Sequence, residues 1–310
     1  MGHYENPLVT VSMPAFNSER YLREAIQSIL EQTYTNFELL ILDDGSTDGT
    51  RKIIESFTDP RIIPILFEAN QGLISARNEI AQRAKGKYIA LMDADDKAFP
   101  NRLEAQVRFL ESGKADICGG AHISLFQDTG RRKKSKERYT DSDIKALLTT
   151  YCPISNPCVM AGAEVFKRFP YLASNQHAED YCLWIEAAMA GYSFANLKDE
   201  LILYRIHSSQ ISVLKKNEAE LISKLAKSRY LEFLGFDPKL LPTPLNFFSR
   251  LRSAIPFMLQ LNQRIKGISL FANAEIYSRF QHRNNFFLKL GMRAERLLVS
   301  LCIKLLTKSK

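Results

Sequence analysis

Three carboxylates fall within four positions at Asp93, Asp95 and Asp96, directly after the apolar run Tyr88 to Met92. The stretch 87–96 reads K-Y-I-A-L-M-D-A-D-D. A short run of this kind suits a strand buried on both faces, as in a parallel sheet. Such a strand delivers the residues after it to the rim of the sheet, where open α/β folds bind ligands. In extended chain, residues i and i+2 share a face, so Asp93 and Asp95 aim together across Ala94 while Asp96 points away. Two hard oxygen ligands at that spacing suit Mg²⁺ or Mn²⁺ held jointly with a phosphorylated substrate. An EF-hand calcium loop is excluded. Counting from Asp93, its fifth position is Lys97 and its sixth is Ala98, where an acceptor and a glycine are required.

Two further acidic pairs stand at the edges of predicted elements. Asp43-Asp44-Gly45 ends the apolar run Phe37 to Leu42. It reads either as a turn that caps a helix or as a carboxylate accepting from a ribose hydroxyl or a base N–H. Glu179-Asp180 opens a segment in which Leu183, Ala187 and Ala190 recur at helical spacing before Gly191. Near a helix start, these two acids can also simply favour the dipole.

The elements that must position these groups alternate. Leu8 to Met13, Phe37 to Leu42, Ile62 to Phe67 and the run ending at Met92 read as strands. Between them, Tyr21, Leu22, Ala25, Ile26, Ile29 and Leu30 recur at helical spacing, as do Ile53, Ile54 and Phe57, with a third helix running from Gly72 to about Lys85. Asn17 or Ser18 is expected to cap the first helix, and Ser46 or Thr47 the second. Four strand–helix alternations in a hundred residues predict a parallel sheet with right-handed crossovers. Arg102 to Leu110 follows as an amphipathic helix, Ala115 to Ser124 and Leu201 to Ile206 as strands, and the basic run Arg131 to Lys136 as a solvated loop. Asn156 to Met160 is a further strand or turn.

Composition narrows the classes. The chain has 310 residues, 45% hydrophobic and 25% charged, ordinary for a globular protein with a sizeable core. Met1 to Pro7 is polar, and no run of 18 uncharged apolar residues occurs, so neither a signal peptide nor a membrane-spanning helix is expected. Five cysteines without a C-x-x-C pair suit thiols in a reducing, cytoplasmic compartment. The net charge of +8 is uneven: residues 211–310 carry 18 Lys/Arg against 6 Asp/Glu. No G-x-G-x-x-G follows the first strand and no G-x-x-x-x-G-K-[ST] occurs, which disfavours a dinucleotide-dependent dehydrogenase and a P-loop NTPase.

Three pieces in order, V-S-M-P-A-F-N-S-E-R-Y-L, L-L-I-L-D-D-G-S-T-D-G-T and N-Q-G-L-I-S-A-R-N followed by G-K-Y-I-A-L-M-D-A-D-D, resemble the amino-terminal half of a family 2 glycosyltransferase. The resemblance implies an inverting enzyme of GT-A type: an α/β, Rossmann-like, mostly parallel sheet flanked by helices. It implies that Pro14, Ala15, Phe16 and Glu19 line the nucleotide base, with Phe16 where the family usually has Tyr. Asp44 would contact the base, and Arg77, otherwise readable as a surface helix residue, would approach the nucleotide. Within the D-x-D motif Asp93-Ala94-Asp95, Asp93 would lie by the ribose and Asp95 would bind Mn²⁺ or Mg²⁺. On the acceptor side, E-D-Y-C-L-W is similar to the family's E-D motif. That implies Asp180 as general base, with Glu179 and Trp184 toward the acceptor. Y-R-I-H-S-S-Q-I-S looks like the segment closing the catalytic domain. From it Arg205 and His207 can meet the diphosphate or complete the metal shell, and His207 is taken with Asp95 as a ligand.

The expected organisation is a catalytic domain over 1–212, with a nucleotide-sugar half 1–112 and an acceptor half 113–212, followed by a basic helical extension over 213–310. Pro238, Pro242 and Pro244 mark a linker, and 245–310 reads as amphipathic and basic, with an apolar stripe over 286–306. Such helices lie on an anionic membrane surface or pack on the domain or a second subunit, making a homo-oligomer. Nucleic acid is not expected, since no recognised motif accompanies the charge. The function expected is transfer from a nucleoside-diphosphate sugar, a UDP-sugar by family resemblance, to a saccharide or lipid-linked acceptor. It would serve polysaccharide biosynthesis at the bacterial surface, from the inner face of the cell membrane. The alternatives are a sugar nucleotidyltransferase and a non-catalytic module docking at the membrane.

Overall fold

A computed structural model describes residues 6–135, 139–208, 210, 214–236, 247–279 and 303. Strands β1 (Val9–Ala15), β2 (Phe37–Asp44), β3 (Ile62–Phe67) and β4 (Tyr88–Leu91) alternate with helices α1 (Leu22–Leu30), α2 (Thr50–Glu55) and α3 (Leu73–Arg83). The four strands pair in parallel in the order β3-β2-β1-β4. Every residue of β2 and β4 is buried, as the continuous apolar runs require. Side-chain alternation divides β2 between two layers. Leu39 and Ile41 pack with Leu22, Ala25, Ile26 and Ile29 of α1, whereas Leu40 and Leu42 pack with Ala76 and Ile80 of α3. Each such side chain contributes about 1.5–3 kcal/mol of burial. The carboxyl ends of β1, β2 and β4 are thereby held by two hydrophobic layers.

Beyond β4 the sheet changes character. After β5 (Lys97–Ala98) and α4 (Arg102–Glu111) come β6 (Ile117–Phe126), β7 (Arg132–Lys134), β8 (Met160–Gly162), α6 (Ala163–Arg168), α7 (Glu179–Met189) and β9 (Phe194–Ile206), with α5 (Asp141–Leu147) between β7 and β8. The order continues from β4 through β8, β6 and β9 to β5. Here β8 is antiparallel to both β4 and β6, β5 is antiparallel to β9, and β6 and β9 are parallel. Strands β1 to β4 therefore pair with one another in parallel, and the rest of the sheet is mixed. The basic run expected as a loop pairs instead: Arg132 to Lys134 form an edge strand on β6, with exposed side chains. Lys and Arg on an edge strand block further pairing, so a loop-like composition and a strand coexist. Strand β9 starts seven residues before the expected Leu201. Its register against β6 shifts between Gly120 and His122, which interrupts the alternation that the sequence would show.

The chain forms two compact units. One comprises Met1–Arg138 and Ile154–Ile222, the other Tyr139–Pro153 and Ser223–Lys310. The expected boundary at 212/213 thus lies ten residues later, and 139–153 groups with the carboxyl-terminal part. Helix α8 (Lys216–Phe233) spans the boundary, followed by α9 (Phe247–Arg264) and α10 (Leu270–Arg279). In the second unit Phe257, Met258, Leu261, Ile268, Ala272 and Ile276 are buried, and Ser269 N donates to Asp143 Oδ1 at 2.6 Å. These apolar residues of the basic tail therefore face a protein core. The proline linker and the stripe over 286–306, Ile303 apart, lie outside the described residues. Among the described residues no helix is long and apolar enough to cross a membrane.

Candidate active site

The end of β4 does not stay extended. Asp96 N donates to Asp93 O at 3.2 Å, and this turn swings Asp96 back. Carboxylate oxygens of Asp93, Asp95 and Asp96 consequently lie within 4.8 Å of one another, which corrects the expectation that Asp96 points away. Asp96 is fully buried; Oδ1 accepts from Arg205 N at 2.8 Å, while Oδ2 has no partner among the described residues. His207 Nε2 sits 3.0 Å from Asp95 Oδ2. Arg205 is buried rather than facing a diphosphate: it donates to Asp95 O at 2.6 Å, pairs with Glu24 of α1 and covers the Tyr21 ring at 4.9 Å. The carboxyl end of β9 thus delivers His207 and Arg205 to the acidic turn.

Burial raises the Asp93 carboxyl to about 6 even with Arg77 beside it, and Asp95 and Asp180 add to the rise. Burial, then Asp93 and Asp95, push Asp96 well above the usual carboxylate range. Three clustered carboxylates, two partly exposed and one buried with an oxygen that has no partner among the described residues, fit a divalent cation, which removes the penalty for ionising them together. Hard oxygens with one imidazole suit Mg²⁺ or Mn²⁺. A raised folded-state carboxyl pKa contributes stability that is fully present below the unfolded value and is lost as pH rises through the folded value. Without added metal, Asp93→Asn will therefore gain stability relative to the natural protein as pH goes from 4 to 7. Parallel melting curves across that range would show it; a gap independent of pH would contradict it.

The Glu179-Asp180 pair is carried by α7. Asp180 stands in its first turn, where Oδ1 accepts from Tyr181 N at 2.7 Å. Burial raises its carboxyl, Glu179 adds to this, and Arg77 opposes it. Arg77 of α3 is the link between the two halves. It is 7% exposed, not a surface residue: Nη1 donates to Glu179 Oε1 at 2.8 Å, and Nη2 lies 3.5 Å from Asp93 Oδ1. Burial works against its charge, but the carboxylates of Asp93, Glu179 and Asp180 together hold it protonated. Trp184, expected at the acceptor, is fully buried instead and meets Phe166 edge-on at 6.1 Å. It lies one turn along α7 from Asp180, on the face that packs inward, so helical spacing alone could not distinguish core from acceptor wall.

At the carboxyl ends of β1 and β2, two loops interlock. Asn17 N donates to Ser46 Oγ, Ser18 N to Thr50 Oγ1, Glu19 N to Asp48 Oδ2, and Gly49 N returns to Glu19 Oε2 at 2.6 Å. The residues expected as helix caps make this lock instead. α1 begins without a side-chain cap, and Asp48, not Ser46 or Thr47, accepts from the Thr50 N–H that opens α2. Glu19 accordingly ties the loops. Asp44 is buried and accepts from Gln71 N at 2.7 Å and Gly72 N at 2.8 Å, which caps α3 and leaves a lone pair on each oxygen. Pro14 is partly exposed, Ala15 and Ala94 are buried, and Phe16 stands 46% exposed beside the lock. Gly45 has φ +67°, and a Cβ there would meet the Ala69 carbonyl carbon at 2.5 Å. Gly45→Ala will destabilise the protein by about 1–3 kcal/mol. Unchanged denaturant midpoints would refute this.

The chain is similar to known proteins. Residues 10–171 match the family described as Glycosyl transferase family 2. An uncharacterized glycosyltransferase of Haemophilus influenzae is 32% identical over 76% of this chain and 78% of its own length. WfaP of Escherichia coli, a UDP-Glc:alpha-D-GlcNAc-diphosphoundecaprenol beta-1,3-glucosyltransferase, is 32% identical over 71% of this chain and 86% of its own. The putative teichuronic acid biosynthesis glycosyltransferase TuaG of Bacillus subtilis is 29% identical over 69% and 85%. Residues 1–349 of S. aureus TarS superpose with a TM-score of 0.58 at 18% identity, covering 88% of each chain, which establishes the shared GT-A fold. By the family match over residues 10–171 and by these relatives, the chain, with its four parallel amino-terminal strands, belongs to glycosyl transferase family 2 and is a glycosyltransferase.

Proposed function

We propose that the protein is a metal-dependent, inverting transferase that moves a sugar from a UDP-sugar to a hydroxyl of a lipid-linked saccharide in surface glycan synthesis. The observation that carries this reading is the ion bridge from Asp93 through Arg77 to Glu179, which sets the acidic turn and Asp180 in one cluster. Asp180 takes the proton of the acceptor hydroxyl as that oxygen attacks the anomeric carbon, and the nucleoside diphosphate departs from the opposite face. Its raised carboxyl makes it a better proton acceptor than an ordinary aspartate. Asp95, with Asp93, Asp96 and His207, would hold Mg²⁺ or Mn²⁺, which supplies charge neutralisation to a leaving diphosphate. Phe16 offers an exposed ring for stacking on the base.

The substrate classes are supported by the UDP-Glc donor and diphosphoundecaprenol acceptor in the name of WfaP, and by the teichuronic acid role in the name of TuaG. A lipid-linked acceptor would bring the enzyme to the inner face of the membrane, where the basic residues of 245–310 meet anionic headgroups. Thermal shift and donor hydrolysis with UDP-, GDP- and dTDP-sugars, each with and without Mn²⁺ or Mg²⁺, test the reading. Metal-dependent stabilisation by UDP-sugars is expected. Stabilisation that ignores metal, or pyrophosphate release in place of nucleoside diphosphate, would overturn it.

A further inference from the structure

Tyr171 carries a buried hydroxyl without a hydrogen-bond partner among the described residues, although the side chain lies beside the reaction cluster. It is 4% exposed. Its main chain is fixed from both sides by Asn78 of α3: Tyr171 N donates to Asn78 Oδ1 at 2.9 Å, and Asn78 Nδ2 donates to Tyr171 O at 2.8 Å. The neighbouring Arg77 lays its guanidinium 5.4 Å from the ring centroid while pairing with Glu179 and Asp93. Two consecutive residues of α3 therefore hold the ring against the groups that join donor and acceptor sides. Packing alone does not call for the oxygen, since a phenylalanine would fill the same space without an unsatisfied polar atom.

The chemistry of the surroundings selects a ligand. Burial, with Asp180, Glu179 and Asp93 adding to it, keeps the phenol protonated against the pull of Arg77. At neutral pH it is a donor in search of an oxygen. Phosphate with no cation between it and the carboxylates of Asp180, Glu179 and Asp93 is a poor candidate. A sugar hydroxyl is a good one, because its oxygen accepts from Tyr171 while its proton goes to a carboxylate of the cluster. We propose that Tyr171 is a further substrate-binding and specificity-determining residue, whose hydroxyl donates to a sugar hydroxyl at the reaction centre. This rests on the glycosyl-transfer reading above. The sugar belongs either to the donor or to the acceptor, and one variant separates the two.

Tyr171→Phe removes only the oxygen. It is compared with the natural protein in the metal that best supports UDP binding, using the UDP-sugar hydrolysed fastest and the alkyl glycoside that most accelerates UDP release. If the donor sugar is the ligand, KM for the UDP-sugar rises about tenfold while the affinity for UDP itself stays constant. If the acceptor is the ligand, hydrolysis and UDP affinity are unchanged and KM for the glycoside rises by a similar factor. Either result supports the assignment, provided the melting temperature does not fall. The assignment is overturned if all these parameters stay within twofold. It is equally overturned if UDP affinity and melting temperature drop together, which marks a structural role. Failure of the natural protein to bind UDP with any metal would be a different failure: it would remove the proposed function itself and this inference with it.

Discussion

Asp180→Asn will cut sugar transfer by about 10²–10⁴-fold and leave metal-dependent nucleotide binding in place. Asparagine preserves the size of the side chain and the oxygen that accepts from Tyr181 N, so the first turn of α7 keeps its geometry. Only the ability to take a proton is lost. Glu179 does not replace it, because its carboxylate is committed to Arg77 at 2.8 Å. Burial and Glu179 raise the Asp180 carboxyl, so the acid limb of the rate profile will lie above the range of a free aspartate and disappear in the variant. Turnover close to normal would show that another group removes the proton. Loss of nucleotide affinity along with turnover would instead indicate that the substitution disturbs the acidic turn.

Arg77→Leu will have the second large effect, on stability and catalysis together. Removing one partner of a buried ion pair leaves the other charge uncompensated and costs about 3–5 kcal/mol. Here the guanidinium serves Glu179, Asp93 and the face of Tyr171 at once, so no single neighbour can relax to replace it. For a protein of this size each kcal/mol lowers the melting temperature by roughly 2–4 °C, so a fall of roughly 6–20 °C is expected. Arg77→Lys will recover only part, since a compact ammonium cannot reach two carboxylates and cover a ring. A melting temperature within a degree or two of the natural protein would mean that the bridge contributes little.

Both predictions depend on placements that differ in how legible they were. The four parallel strands could be read directly, because a strand covered on both faces must be apolar throughout, as Phe37 to Leu42 and Tyr88 to Leu91 are. Asp93, Asp95, Asp180 and His207 stand out in the sequence by their positions at element ends and by motifs that resemble the family's, and the structure places Asp93 beside Asp95 and His207 against Asp95. Asp96 does not stand out, although it lies next to Asp95. Its direction is decided by a turn and by the N–H of Arg205, 109 residues away. Arg77 presented the same difficulty. An arginine on a helix is normally solvated, and its burial follows from carboxylates delivered by β4 and α7.

The sequence alone determined the class of fold, the acidic strand end and the pairing of Glu179 with Asp180, because these depend on local periodicity and residue type. Tertiary structure alone decided which charges compensate one another, that Trp184 belongs to the core, and that Tyr171 stands beside the cluster with its hydroxyl unclaimed by any described residue. It also set Arg132 to Lys134 on a sheet edge and grouped 139–153 with the carboxyl-terminal helices. The physical reason is common to all of these. Burial and ion pairing are properties of the element that faces a residue, and that element is distant in the chain.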